Sequence, residues 1–257
     1  MPVDIRVIPC LSDNYAVLIH DPVTEATCVV DVPDATPVLE ALDREGWDLT
    51  HILVTHHHSD HVDGVLALKA QFGATVVGPK AEAATIPGID VTVVDGDPVG
   101  VGSLIGRVME TPGHTAGHVV YLFEDERLLF SGDTLFVLGC GRPMECDPPV
   151  LWQSLLRLRA LPDDLSLYCG HEYTLANGRF AISVDPDNGA LRARFADAEA
   201  ARREGKPTIP ALLGDERLTN PFLRADDPDM AERLGLAGAE PAAVFTELRA
   251  RKNVFKG

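Results

Sequence analysis

An α/β fold with a mixed sheet, followed by a smaller helical region, is predicted by three features of the chain. Short β-rich runs alternate with helical patterns through the first two-thirds of the sequence; two of those runs are separated by only three polar residues; and beyond LSLYCGHEYT no strand-like run recurs. Alternating strands and helices are the mark of an α/β architecture. A short polar link between two strands requires antiparallel pairing, so the sheet cannot be wholly parallel.

The runs IRVIP, YAVLIH, ATCVVDV, HILVTH, ATVVGP and VTVVDGD come first, rich in β-branched residues and bounded by turn formers. A helical pattern, VDGVLALKAQFG, follows the His-rich end of HILVTH. HVVYLF and RLLFSGD are joined by Glu124, Asp125 and Glu126, which predicts a hairpin. In PPVLWQSLLRLRALP, Leu151, Leu155 and Leu158 recur at helical spacing. ALRARFADAEAARREG, rich in Ala, Arg and Glu, is halted by Gly205 and Pro207. The change of texture places a boundary near Tyr173, giving a first domain over 1–172 and a helical domain over 173–257. There is no internal repeat and no low-complexity tract.

Composition narrows the function. With 46% hydrophobic and 24% charged residues the chain is of ordinary globular type. Charges or Pro and Gly interrupt every apolar run before the roughly 20 residues a membrane crossing needs, and MPVDIRVIPC lacks the pattern of a secretory signal. The expectation is a cytoplasmic, non-membrane monomer. Cys10, Cys28, Cys140, Cys146 and Cys169 form no CxxC pair, which fits reduced thiols. A formal charge of −17 opposes nucleic-acid binding, because phosphates must be neutralised by Lys and Arg. It also repels small anions unless a local basic cluster offsets the field; LRARKNVF at the C-terminus is such a cluster.

The densest chemistry is in THHHSDH, Thr55 to His61, where an apolar strand ends. In extended chain alternate residues share a side, so His56 and His58 converge while His57 points away; Asp60 and His61 follow at the turn. Imidazole nitrogens and carboxylate oxygens suit zinc or a similar divalent ion. His114 in TPGHTAGH, Asp133 in FSGDT and His171 in YCGHEY each follow a glycine, Gly113, Gly132 or Gly170, at a strand end. Five His and two Asp complete two sites, and a carboxylate with two oxygens can bridge them, which makes Asp133 the natural shared ligand. Asp31, which ends TCVVD, is placed to support a ligand imidazole by hydrogen bonding. His118, His57, His20 and His51 read as structural or supporting groups.

THHHSDH, TPGHTAGH, SGDT and CGHEYT resemble the successive metal motifs of the metallo-β-lactamase superfamily over roughly Val3 to Tyr173, and IPCLSDNYAVLI, LGCGRP and LRARKNVF extend the resemblance to glyoxalase II, the hydroxyacylglutathione hydrolases. The resemblance implies a four-layer αβ/βα sandwich followed by a helical domain. It also implies two divalent ions per chain, zinc first, with iron or manganese as alternatives. One ion would be held by His56, His58 and His114, the other by Asp60, His61 and His171, with Asp133 bridging and a hydroxide shared between them; Asp60 and Asp133 would thus serve catalysis directly. Arg142, Tyr173, Arg249 and Lys252 would hold the glutathione, whose carboxylates suit a guanidinium fork or an ammonium. On residue types alone, Arg249, Arg251 and Lys252 read first as the solvated face of a last helix. The chain departs from the family pattern at Pro143 and Met144, at CDPPV and at Asn253, all outside the metal set.

The activity so implied is hydrolysis of S-(2-hydroxyacyl)glutathione, such as S-D-lactoylglutathione, to a 2-hydroxy acid and glutathione, the second step of methylglyoxal detoxification. No cysteine is paired in sequence with a general base, which leaves a metal-activated water as the nucleophile. The alternatives are a persulfide dioxygenase, a lactamase, or a metal-binding module without catalysis.

Overall fold

The computed structural model describes residues 3–257. By their internal packing the described residues divide into two compact units, one of residues 3–111, Gly117–Gly132 and Tyr168–His171, the other of Pro112–Ala116, Asp133–Leu167 and Glu172–Gly257.

In the first unit, β1 (Asp4–Cys10), β2 (Asn14–Asp21) and β3 (Ala26–Val30) pair antiparallel, and the sheet continues in parallel through β4 (His51–Leu53), β5 (Thr75–Pro79) and β6 (Val91–Val93). Every residue of β2 is buried, which is why YAVLIH reads as an unbroken apolar run rather than an alternating one. Helix α1 (Ala35–Glu45) links β3 to β4, α2 (Ser59–Val62) and α3 (Val65–Phe72) link β4 to β5, and a 3-10 turn at Lys80–Glu82 leads toward β6. Asp34 caps α1 by accepting the Thr36 N–H at 2.8 Å, and Gly46 closes it in the left-handed conformation. Val38, Ala41 and Leu42 of α1 and Val65 and Leu68 of α3 bury against Ile8, Leu18, Val29, Ile52 and Val76 of the sheet.

The sequence reading takes VDGVLALKAQFG as one helical run. It is broken at Asp63 and Gly64, because the chain passes Val32 and Ala35 so closely that a Cβ on Gly64 would lie 2.5 Å from Val32 Cγ1 and 2.6 Å from the Ala35 nitrogen.

A second sheet runs through β7 (Pro98–Val101), β8 (Leu104–Glu110), β9 (Val119–Phe123) and β10 (Leu128–Gly132), all antiparallel. The expected hairpin is β9 and β10, with Phe123 opposite Leu128. The Tyr121 hydroxyl of β9 donates to the Val54 carbonyl beyond β4 at 2.7 Å, so the two sheets face each other across a packed interior.

The second unit opens with a small hairpin, β11 (Leu135–Phe136) and β12 (Gly139–Cys140), followed by α4 (Pro148–Arg159). Strand β13 (Ser166–Cys169) begins in this unit and ends in the first, extending the second sheet beside β10. Helices α5 (Thr174–Val184) and α6 (Gly189–Arg203) come next, then the two-residue strand β14 (Ala211–Leu212), too short for a sequence pattern to reveal, which pairs with Ser166 and Leu167. Helices α7 (Leu213–Thr219), α8 (Pro228–Arg233) and α9 (Pro241–Val254) complete the chain. Rings of separate elements build the core: Trp152 stacks on Phe245, and Phe222 lies edge-on to Phe245 and stacked on Phe180. In the same unit Glu216, fully buried, accepts from Arg194, from Asn220 Nδ2 at 2.9 Å and from the Leu138 N–H at 2.9 Å. Two helices and the β11–β12 turn are thereby tied to one carboxylate.

Candidate metal centre

In the first unit β4 delivers the chain to Thr55, and the extended segment His56 to His58 runs from there into α2. His56 is fully buried, its ring 4.8 Å from that of His58 and 4.1 Å from that of His61. His57 turns away, as alternation requires, and meets Glu82, whose carboxylate accepts from the His57 main-chain N–H at 2.7 Å and lies 2.9 Å from its Nδ1. The other Glu82 oxygen accepts the Gly117 N–H at 3.0 Å.

Asp31 sits at the end of β3 with φ 55, a left-handed backbone that Asp tolerates better than most residues. Its carboxylate accepts from the Thr55 N–H at 2.8 Å and the Thr55 hydroxyl at 2.7 Å, and lies 2.9 Å from His61 Nδ1. By distance Asp31 also groups with His56 and His61 as a possible ligand. Its oxygens are already engaged by these donors, which suits it to orienting His61.

Asp60, His61 and His171 bring ligand atoms together in the same unit, all within 4.8 Å of one another. His171 Nε2 lies 3.3 Å from His61 Nε2 and 3.4 Å from Asp60 Oδ2. The Nδ1 atoms of both rings face carboxylates, Asp31 for His61 and Asp13 for His171 at 3.0 Å. An ionised carboxylate only accepts, so Nδ1 carries a proton in each ring and Nε2 is the atom turned toward the other ligand atoms. Two ring nitrogens and a carboxylate oxygen thus converge at distances that could hold a cation among them.

The same logic holds in the second unit. His114 Nδ1 donates to the Arg142 carbonyl at 2.8 Å, and its Nε2 faces Asp133 Oδ2 at 3.4 Å, both residues being buried. The donor chemistry of all these side chains therefore fits divalent cations.

Gly132 positions Asp133. Its φ is 48, and a Cβ there would meet Thr55 Oγ1 at 2.6 Å and His118 Nε2 at 2.7 Å. Left-handed strain and overpacking together set the expected loss of stability in Gly132→Ala at roughly 2–4 kcal/mol. Gly46→Ala, left-handed but with open space around it, should lose only the strain, about 1 kcal/mol. Denaturant midpoints of the two variants compare them directly.

The other sequence-selected residues lie in the second unit. The Arg142 side chain is exposed, and Tyr173 is partly exposed with its ring 5.3 Å from Phe136. Arg249 is only 6% exposed; it donates to the Cys140 carbonyl at 3.0 Å and to Asn253 Oδ1 at 2.7 Å, and lies over the Phe222 ring. Lys252 is half-buried, donates to the Ala176 carbonyl at 3.0 Å and sits over the Phe180 and Phe255 rings. Burial, with Arg249 and Arg179 nearby, lowers its pKa to about 8. The solvated-face alternative describes Arg251, which is exposed and pairs with Glu247, but not Arg249. Among the supporting groups, Asp13, Asn14 and Glu82 escape the sequence reading. SDNY lies in a stretch with no attached chemistry, and nothing local marks Glu82.

Comparison with known proteins agrees with this architecture. The sequence profile described as "Metallo-beta-lactamase superfamily" matches residues 17–171, and that described as "Hydroxyacylglutathione hydrolase C-terminus" matches 172–255. A hydroxyacylglutathione hydrolase of Nitrobacter hamburgensis is 55% identical over 98% of this chain and 99% of its own, and one of Rhodopseudomonas palustris strain BisA53 is 56% identical over the same shares. Among solved structures, ETHE1 from Myxococcus xanthus superposes with a TM-score of 0.70 at 27% identity, covering 100% of this chain and 93% of that one. A metallo-beta-lactamase from Staphylococcus aureus subsp. aureus COL gives 0.67 at 22% identity, over 98% and 71%, and shares the fold. No helix among the described residues is long and apolar enough to cross a membrane. With the metallo-β-lactamase profile over most of its length and full-length relatives at more than half identity, the chain belongs to the hydroxyacylglutathione hydrolase family of metal-dependent hydrolases within the metallo-β-lactamase superfamily.

Proposed function

We propose that the chain hydrolyses the thioester of S-(2-hydroxyacyl)glutathione, S-D-lactoylglutathione being the type substrate, with two divalent ions per chain, zinc the first choice. The observation that carries the reading is the set of imidazoles with Nδ1 protons held by acceptors and Nε2 atoms turned toward Asp60 and Asp133. The full-length likeness to proteins named for this reaction supports the thiol carrier. His56, His58 and His114 are assigned to one ion, Asp60, His61 and His171 to the other, and Asp133 to both.

When bound, such a pair of cations supplies a nucleophilic oxygen from water near neutral pH and a Lewis acid for the thioester carbonyl. The protein side chains do the rest. Asp60 and Asp133 would balance the cationic charge, while Asp31 keeps the His61 proton on Nδ1. The leaving thiolate is stable near neutral pH and needs little protonation. Burial raises Cys10 and Cys140 to about 11 and Cys28 still higher, which disfavours these three as nucleophiles. Lys252, Arg142 and Tyr173 are assigned to the glutathione moiety; Arg249 supports Lys252 by holding the Cys140 carbonyl and Asn253.

A thioester panel assayed with defined metals tests the reading: glutathione thioesters, thioesters of small uncharged thiols, a β-lactam, and a persulfide with oxygen uptake monitored. Turnover of the β-lactam or persulfide in preference to S-D-lactoylglutathione would overturn it.

A pH dependence follows from Lys252. With its pKa lowered to about 8, the ammonium is present below that pH and lost as pH rises through it, so KM for glutathione thioesters should climb above about pH 8 with kcat less affected. Lys252→Ala should raise KM roughly tenfold at pH 7 and flatten the climb. Thioesters of uncharged thiols should show neither effect.

A further inference from the structure

Ser12-Asp13-Asn14-Tyr15 has no place in the proposed ligand set, yet the turn from β1 to β2 is built against it. The Tyr15 N–H donates to the Gly170 carbonyl at 2.8 Å, and Asn14 and His171 form an isolated antiparallel bridge. On this frame Asp13 Oδ1 lies 3.0 Å from His171 Nδ1. Asn14, buried, donates through Nδ2 to the Asp60 carbonyl at 2.9 Å and to Asp60 Oδ2 at 3.1 Å, with His171 Nε2 at 3.5 Å.

These contacts have a definite chemical content. A carboxylate has no hydrogen to give, so Asp13 holds the His171 proton at Nδ1 and leaves the lone pair at Nε2. A primary amide has two hydrogens on one nitrogen. When one goes to the Asp60 main chain and the other to its side chain, the Asp60 carboxylate is locked to its own backbone in a single rotamer. Both groups are remote in sequence from what they hold, so neither hydrogen bond is a by-product of local helix or turn geometry.

We infer that Asp13 and Asn14 are positioning residues for the Asp60, His61 and His171 half of the centre: Asp13 sets the tautomer and plane of the His171 ring, and Asn14 sets the rotamer of Asp60. Together they form this half-site before a cation enters. Both imidazoles of the half then have carboxylate orienters, Asp31 behind His61 and Asp13 behind His171, whereas His114 has a main-chain carbonyl. Carboxylate partners raise ligand basicity, so this half binds its ion through the more basic pair of rings. The inference rests on the metal reading proposed above.

The test uses the full chain as wild type, Asp13→Ala, Asp13→Asn, Asn14→Ala and Asn14→Asp. Each is titrated with zinc against a chromophoric chelator, and the thermal midpoint of each metal-free protein is measured alongside. Loss of such an orienter typically weakens metal binding 10–100-fold. Asp13→Ala and Asn14→Ala should lose about that factor for one zinc equivalent and leave the other unchanged. Asp13→Asn, which keeps an acceptor oxygen, should fall between wild type and Asp13→Ala. Asn14→Asp, which sets a second carboxylate against Asp60, should do no better than Asn14→Ala. Asp13 is partly exposed, so its variants should keep the metal-free midpoint within about 2 °C. Long-range 15N–1H imidazole spectra of metal-free protein give a readout independent of zinc: His171 should be the Nδ1-protonated tautomer in wild type and a mixture in Asp13→Ala. Wild-type zinc affinity in both Ala variants overturns the inference. So does a loss of affinity matched by a fall in metal-free stability in the Asp13 variants, which would mark a structural role. A wild-type chain that takes up no zinc would instead remove the metal reading itself.

Discussion

Asp133→Ala should abolish measurable thioester hydrolysis while leaving the chain folded. Asp133 is buried, with Oδ2 3.4 Å from His114 Nε2, and it is the carboxylate assigned to both ions. In that role its loss would remove a negative charge shared by the two half-sites. If bound cations supply several kcal/mol of transition-state stabilisation, losing about 4 kcal/mol lowers the rate on the order of 10³-fold. Elemental analysis should show fewer than two ions per chain. Full occupancy together with turnover near that of wild type would show that the Asp133 carboxylate is not a ligand.

The largest expected effect on folding lies far from that chemistry. Glu216 is fully buried and accepts from Arg194 on α6, Asn220 beyond α7 and the Leu138 N–H in the β11–β12 turn. Glu216→Ala leaves a guanidinium, an amide and a backbone N–H short of their acceptor inside a packed unit. Breaking a buried pair by deleting one partner costs about 3–5 kcal/mol, a large part of the 5–15 kcal/mol that typically separates folded from unfolded chains. The thermal midpoint should drop sharply, whereas the exposed pair of Arg217 and Asp163 can be cut with a change below about 1 kcal/mol. A mild Glu216→Ala would mean that water or a shifted side chain replaces the carboxylate.

How far the sequence foretold these features depended on how local each signal was. THHHSDH was legible because alternation along extended chain settles which His share a side, and His57 does turn away to Glu82. HVVYLF and RLLFSGD were legible as a hairpin because three polar residues leave the chain no other course. Strand β8 was not, because Gly106 and Arg107 interrupt its apolar alternation. Nor was α1, a short amphipathic helix whose clearest marker is the single capping Asp34. The supporting shell was the least legible part. Asp13 and Asn14 act on residues 158 and 46 positions away, and Glu82 on His57 from a neighbouring strand end; such pairings are set by topology and leave no periodicity behind. The burial of Arg249 was hidden for a related reason: three-residue spacing places Arg249 and Lys252 on one face of α9, but which face meets the core depends on α4 and the turn at Pro221.

The interleaved course of the chain bears on modularity. The profile match at 172–255 suggests a detachable C-terminal cassette, yet the compact unit that contains it also owns Pro112–Ala116 and Asp133–Leu167. A fragment ending at residue 171 would keep α4 but lose Phe245 from the face of Trp152, and keep Leu138 but lose Glu216 from its N–H. Its cut surface would be a greasy, half-built core instead of a finished wall. Such a fragment should be recovered as aggregate, and a swap of the helical segment would have to exchange the middle of the chain as well as its end. The helical segment is thus one part of a compact unit whose remainder lies earlier in the chain.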